Sequence, residues 1–135
     1  MDVLYAEAAV ISDDLEFFEV FDTGRILRKV RLEGHVQCAN DVQVRVLKWM
    51  DTRRGVREEI EVLTTFYQYH AWRPGHEGRR EQSLVRYDQA HGDSPHRHVF
   101  DSVGDEVGTE QITLDSMPRL DSVIREALAL AAKTG

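Results

Sequence analysis

The chain has 135 residues and one cysteine, Cys38, which excludes an intramolecular disulfide and a four-thiolate zinc site. Its longest apolar run, Ala127-Leu-Ala-Leu-Ala-Ala132, falls far short of the ~20 residues that cross a bilayer. The opening Met1-Asp2-Val-Leu-Tyr-Ala-Glu7 lacks the basic stretch of a secretory signal. A cytoplasmic protein without membrane attachment is therefore expected. Internal repeats, low-complexity tracts and Pro/Ser linkers are missing too, so residues 1–135 are read as a single domain. No His-Glu-x-x-His spacing occurs. A surplus of positive charge is also lacking. The net charge of −7 argues against loose binding to nucleic acid, which needs clustered cations.

What the chain concentrates is histidine. Five of its six histidines fall between His70 and His98, threaded with arginine, tyrosine and aspartate. Residues 66–100 carry five arginines against four acids, so the acidity lies outside this segment. Imidazole titrates nearest neutrality, which suits it to proton transfer and metal ligation. A segment that mixes it with a cation and a carboxylate is where perturbed, reactive groups gather.

The surrounding pattern is that of an α+β domain. Residues 26–38 alternate, with Ile26, Val30, Leu32, Val36 and Cys38 on one side and Lys29, Arg31, Glu33, His35 and Gln37 on the other, which predicts a half-buried strand. Ala39-Asn40-Asp41 is a turn signal, and Val42, Val44 and Val46 resume the alternation as a hairpin. A polar break is expected at residues 51–59, a third strand at 60–72, an exposed loop at 73–83 and a fourth strand at 84–88. Leu120, Val123, Ile124, Ala127, Leu128 and Ala131 follow helical spacing and predict an amphipathic C-terminal helix. Residues 1–21 fit a buried strand or a short helix, with strand preferred. The expectation is an antiparallel meander sheet of about four to six strands with that helix packed on one face.

Within this frame His70 belongs to the third strand and Arg86 and Asp88 to the fourth, followed by His91, His96 and His98. Period-two geometry puts His96 and His98 on one side of an extended chain, as an acid–base pair or two metal ligands require. Arg86 suits bidentate contact with a phosphate and equally an internal ion pair with Asp88. Asp88 suits orientation of a histidine ring and equally the start of a turn. Tyr67 and Tyr69 read as packing residues, and His76 as inert in a loop tip. Whether these side chains share a face depends on strand register, which the pattern leaves open.

Tyr67-Gln-Tyr-His70, Arg86-Tyr-Asp-Gln89 and Pro95-His-Arg-His98 stand in an order that resembles the TumE family, the toxin half of prokaryotic type II toxin–antitoxin pairs. Gln89 stands where that family has Asn, and the last run has one histidine fewer. The resemblance implies a small toxin controlled by a cognate, DNA-binding antitoxin encoded beside it. Joined to the residues, it leads to an RNA-cleaving enzyme without a cofactor. His70, His91, His96 and His98 would share the acid and base roles, Asp88 would assist, and Arg86 would hold developing phosphate charge. Two alternatives stand beside it. One is a metal-binding module or metal-dependent hydrolase, with His91, His96 and His98 on a divalent transition metal and Asp88 behind them. The other is a non-enzymatic protein-binding domain whose histidines are structural.

Overall fold

The computed structural model describes residues 2–89, 94–113 and 116–133. A short helix α1 (Asp2–Ala6) leads into strands β1 (Val10–Asp13), β2 (Glu16–Phe21), β3 (Leu27–Cys38), β4 (Gln43–Arg54), β5 (Ile60–Arg73), β6 (Gln82–Gln89), β7 (His96–Phe100) and β8 (Glu106–Gln111), and the helix α2 (Leu120–Lys133) follows. All eight strands form one antiparallel sheet in the order β1-β3-β4-β5-β6-β7-β8, and β2 pairs with β3 as well. The fold is α+β, an antiparallel sheet with a C-terminal helix. The residues expected as strand or helix at 1–21 supply both: a five-residue helix and two short strands.

The sheet has more strands than expected for a readable reason. Residues after Asp88 carry polar side chains at nearly every position and do not announce a strand. They form β7 because Arg97, on the apolar side, has its charge met there: its guanidinium donates to Glu126 Oε1 of α2 at 3.1 Å and lies against Tyr87, whose hydroxyl donates to Glu126 Oε2 at 2.6 Å. A charged residue thus stands half-buried beside the core without an unpaired charge.

The hairpin between β3 and β4 turns through Ala39–Asp41, where Asn40 and Asp41 take left-handed backbone at φ 58° and 62°. Short polar side chains tolerate that conformation, which is why Asn-Asp marks the turn. β4 runs on to Arg54, through the expected polar break, so Arg53 and Arg54 stand on a strand and only 55–59 turn. The 73–83 segment is also less exposed than its composition suggests. Arg73 and Gln82 are buried, because Arg73 donates to Gln82 Oε1 through Nε and Nη2 at 3.1 and 2.7 Å. β1 and β2 divide β3 between them, and the chain passing from one to the other crosses Gly34. A Cβ there would lie 2.8 Å from the carbonyl oxygen of Asp14, and Gly34 sits at φ +146°, so this position requires glycine.

Alternate residues on each strand then separate into two sets. Val36, Val44, Val46, Tyr67, Tyr69, Ala71, Val85 and Tyr87 join Val123, Ile124, Ala127 and Ala131 of α2 in one buried cluster. The intervening residues, from Arg45 through His70 and Arg86 to His98, are half-buried or exposed. All six residues of β2, including Phe17, Phe18, Val20 and Phe21, are exposed. No described helix is long and apolar enough to cross a membrane.

The fully buried Ile124 should be costly to truncate. Ile124→Ala is expected to lower unfolding free energy by about 2–5 kcal/mol in urea titration, whereas truncating the exposed Val107 should change it by no more than about 0.5 kcal/mol.

Candidate functional site

The site is a consequence of register. β5 pairs with β6 so that His70 stands opposite Arg86 and Gln68 opposite Asp88. β6 pairs with β7 so that Arg86 stands opposite His98 and Asp88 opposite His96. His70, Arg86 and His98 therefore form a row across three neighbouring strands, on the set of positions that alternates with the buried one. Asp88 and His96 form the adjacent row. Of the residues singled out in the sequence, these five come together. His91 lies outside the described residues. His76 is elsewhere, its Nδ1 3.0 Å from the Glu77 carbonyl in the 74–81 loop.

His98 is held from several sides. Its Nε2 lies 3.1 and 3.0 Å from the two Asp88 carboxylate oxygens, and its Nδ1 contacts Glu106 of β8. An imidazole facing a carboxylate at each nitrogen donates to both only when it carries both protons. Arg86 Nη2 lies 3.2 and 3.3 Å from the two ring nitrogens, nearly equidistant, so the guanidinium sits against the ring rather than on one lone pair. Arg86 Nε also donates to Asp88 at 3.1 Å. Asp88 thus orients a histidine and pairs with Arg86 at once, so the first of the two uses foreseen for it and the ion pair foreseen for Arg86 are present, while Asp88 itself lies within β6. Arg86 keeps part of its surface open to solvent, at 31% side-chain exposure, and so retains donors for a ligand.

His70 has a different environment. Its ring lies between Trp72, with centroids 5.5 Å apart, and Phe100, stacked at 6.4 Å. Nε2 is 3.1 Å from the Ser83 hydroxyl. Burial holds its pKa below the ordinary imidazole value, and the Arg86 charge lowers it further. His70 is therefore neutral near pH 7. The tyrosines play no acid–base part near neutrality. Burial pushes the Tyr67 phenol up to about 12, and burial with the Glu126 hydrogen bond does the same for Tyr87. Their reading as packing residues agrees with their place in the core.

Four contributors escaped the sequence reading. His35 and Arg45 are opposite each other on β3 and β4, and Arg45 is opposite His70, which extends the row to five strands. Counting outward from the Asn40 turn would have paired them. Ser83 and Glu106 carried no signal, because β-bulges next to Trp72 and Phe100 decide where they fall. For the metal alternative, no group of three or more His, Cys, Asp or Glu among the described residues is placed to hold an ion. His98 has both nitrogens turned to carboxylates, so binding a metal would require breaking one of those contacts. No protein-family model, curated protein or solved structure matches the chain.

The lowered pKa of His70 has a stability consequence with a definite sign. The unfolded chain takes up this proton first as pH falls, so the contribution is complete above the ordinary value of 6.5 and is lost as pH drops towards the folded-state value. The difference in unfolding free energy between wild type and His70→Gln should accordingly shrink from pH 7.5 to pH 5. A difference that stays flat or grows would contradict a buried, neutral His70.

Proposed function

We propose that the chain is the toxin component of a type II toxin–antitoxin pair and cleaves RNA by acid–base catalysis across β5, β6 and β7. One observation carries the reading: a neutral histidine and a carboxylate-held histidine stand on either side of an arginine, in register, on one face. Opposed residues on adjacent strands have Cβ atoms about 5 Å apart, so His70 and His98 flank Arg86 at roughly 10 Å. That is room for a phosphodiester with a hydrogen bond at each end. In this reading α2 closes the other face of the meander, and the histidine face is left to the substrate.

His70 takes the proton of a ribose 2′-hydroxyl as that oxygen forms a bond to phosphorus. Its Nε2 already meets a hydroxyl, that of Ser83, at the distance this requires. His98, its Nδ1 turning from Glu106 to the substrate, gives a proton to the 5′-oxygen as the P–O5′ bond breaks, leaving a 2′,3′-cyclic phosphate and a 5′-hydroxyl. Arg86 holds the charge that builds on the non-bridging oxygens. Asp88 and Glu106 position His98, and His96, beside Asp88, supplies a further donor for phosphate. The steps need no cofactor, the substrate is cytoplasmic RNA, and the partner is a cognate, DNA-binding antitoxin.

A second reading follows from the same contact: Ser83 itself is the nucleophile, with His70 as its base. Ser83→Ala separates the two. With purified protein and a labelled transcript, His70→Gln and His98→Gln are each expected to slow cleavage about 10²–10⁴-fold, while Ser83→Ala stays within a few-fold of wild type. Complete loss in Ser83→Ala favours the serine reading. Intact RNA after incubation with wild type, together with undiminished toxicity of His98→Ala in cells, rejects catalysis on RNA altogether.

A further inference from the structure

The row His70–Arg86–His98 is one end of a longer surface. Arg45, opposite His70, and His35, opposite Arg45, line a depression of about 270 Å³ with Phe18, Leu47 and the carboxylates Asp14, Glu16 and Glu33. On the same face, along β4, Trp49 stands opposite Arg31 on one side and Phe66 on the other, and Arg31 stands opposite Phe18. The Arg31 guanidinium lies 4.9 Å from the centre of the Trp49 ring, and the Trp49 and Phe66 rings are 5.2 Å apart. A second depression, of about 110 Å³, opens beside Trp49 and Arg31. Three residues of β5 lie between Phe66 and His70, four steps or roughly 13 Å of extended chain.

Aromatic rings with cations between them, and no rigid wall to match a duplex, make the surface that single-stranded nucleic acid uses. Bases stack on rings and on guanidinium planes while cations follow the backbone. Among the described residues neither Arg31 nor Arg45 has an ion-pair partner, unlike Arg53, which is held by Glu61 at 2.6 Å, and Arg28, held by Asp22 at 2.7 Å. Of the acids on this face, Asp88 and Glu106 are paired with Arg86 and His98, and Asp14 lies 3.8 Å from the His35 ring, while Glu16 and Glu33 border the Phe18–Leu47 depression, where a base N–H rather than a phosphate would meet them.

We infer that the substrate is single-stranded RNA lying along this face, with bases beside Trp49–Arg31 and at Phe18–Leu47 and backbone phosphates on Arg31 and Arg45, which delivers the scissile phosphate to Arg86. The inference rests on the RNA-cleavage reading and deepens it by naming the form of the substrate and the surface that selects it. Duplex RNA, whose bases are stacked inward, offers nothing to the rings.

The test separates binding from cleavage. His98→Gln protein is titrated against a fluorescein-labelled ten-nucleotide uridine strand, followed by anisotropy, while wild type is assayed for cleavage of an unlabelled transcript. Single-strand binding, quenching of tryptophan fluorescence, and about five- to tenfold weaker binding in His98→Gln/Arg31→Glu and His98→Gln/Arg45→Glu are expected. Each charge reversal should also flatten the dependence of log affinity on log salt by about 0.7 or more. Thermal melts of each variant exclude loss of fold. Cleavage by wild type with binding indifferent to Arg31→Glu overturns the track and leaves the catalytic reading standing. Equal affinity for a duplex of the same length overturns the single-strand assignment. Neither cleavage nor binding by wild type removes the reading on which the inference rests.

Discussion

The register of β5, β6 and β7 is set from the buried side, and the polar row inherits it. Tyr69 opposite Tyr87 and Ala71 opposite Val85 put their side chains into the core with Val123, Ile124 and Ala127 of α2. A slip of one residue would turn those rings and methyls out to water and bring His70 and Arg86 inward without partners. Burial of apolar area, at about 25 cal/mol per Å², makes that slip prohibitive. The histidines are thus aligned by residues that do no chemistry. The Tyr87–Glu126–Arg97 contacts reinforce the same alignment, since they tie β6 and β7 to one turn of α2.

On the polar side the arrangement is one of unequal neighbours. His70 has aromatic rings and a hydroxyl around it, and His98 has two carboxylates and a guanidinium. Two side chains of one type, two strands apart, are given unlike surroundings, and burial holds the His70 pKa below its ordinary value. Arg86 is the shared neighbour: its charge disfavours a second proton on His70, while its Nε anchors the Asp88 that serves His98.

Much of this fold was legible in the chain because it depends on local periodicity. The alternation through Ile26 to Cys38, the Asn40–Asp41 turn and the helical spacing after Leu120 each report on neighbours a few residues away, and each element stands where its pattern put it. The site was legible in membership and opaque in geometry. His70, Arg86, Asp88, His96 and His98 declared themselves by type, but their convergence depends on pairings across 8 to 16 residues and on bulges that shift them. Arg97 and the Arg73–Gln82 pair show the other obstacle. A charged residue reads as surface until the partner that satisfies it is known, and that partner is distant in sequence for Arg97. Glu106 joined His98 for the same reason, through a hairpin whose bulge no spacing rule anticipates.

The sequential order of the sheet bears on how the molecule comes into being. From β3 to β8 every strand pairs with its neighbour in the chain, so each hairpin closes a short loop and can form as soon as its second strand exists. The buried cluster that holds Tyr67, Tyr69 and Tyr87 also includes Val123, Ile124, Ala127 and Ala131 of α2, which is synthesised after all eight strands. A nascent chain therefore carries every residue of the His70–Arg86–His98 row before the cluster that fixes its register is complete.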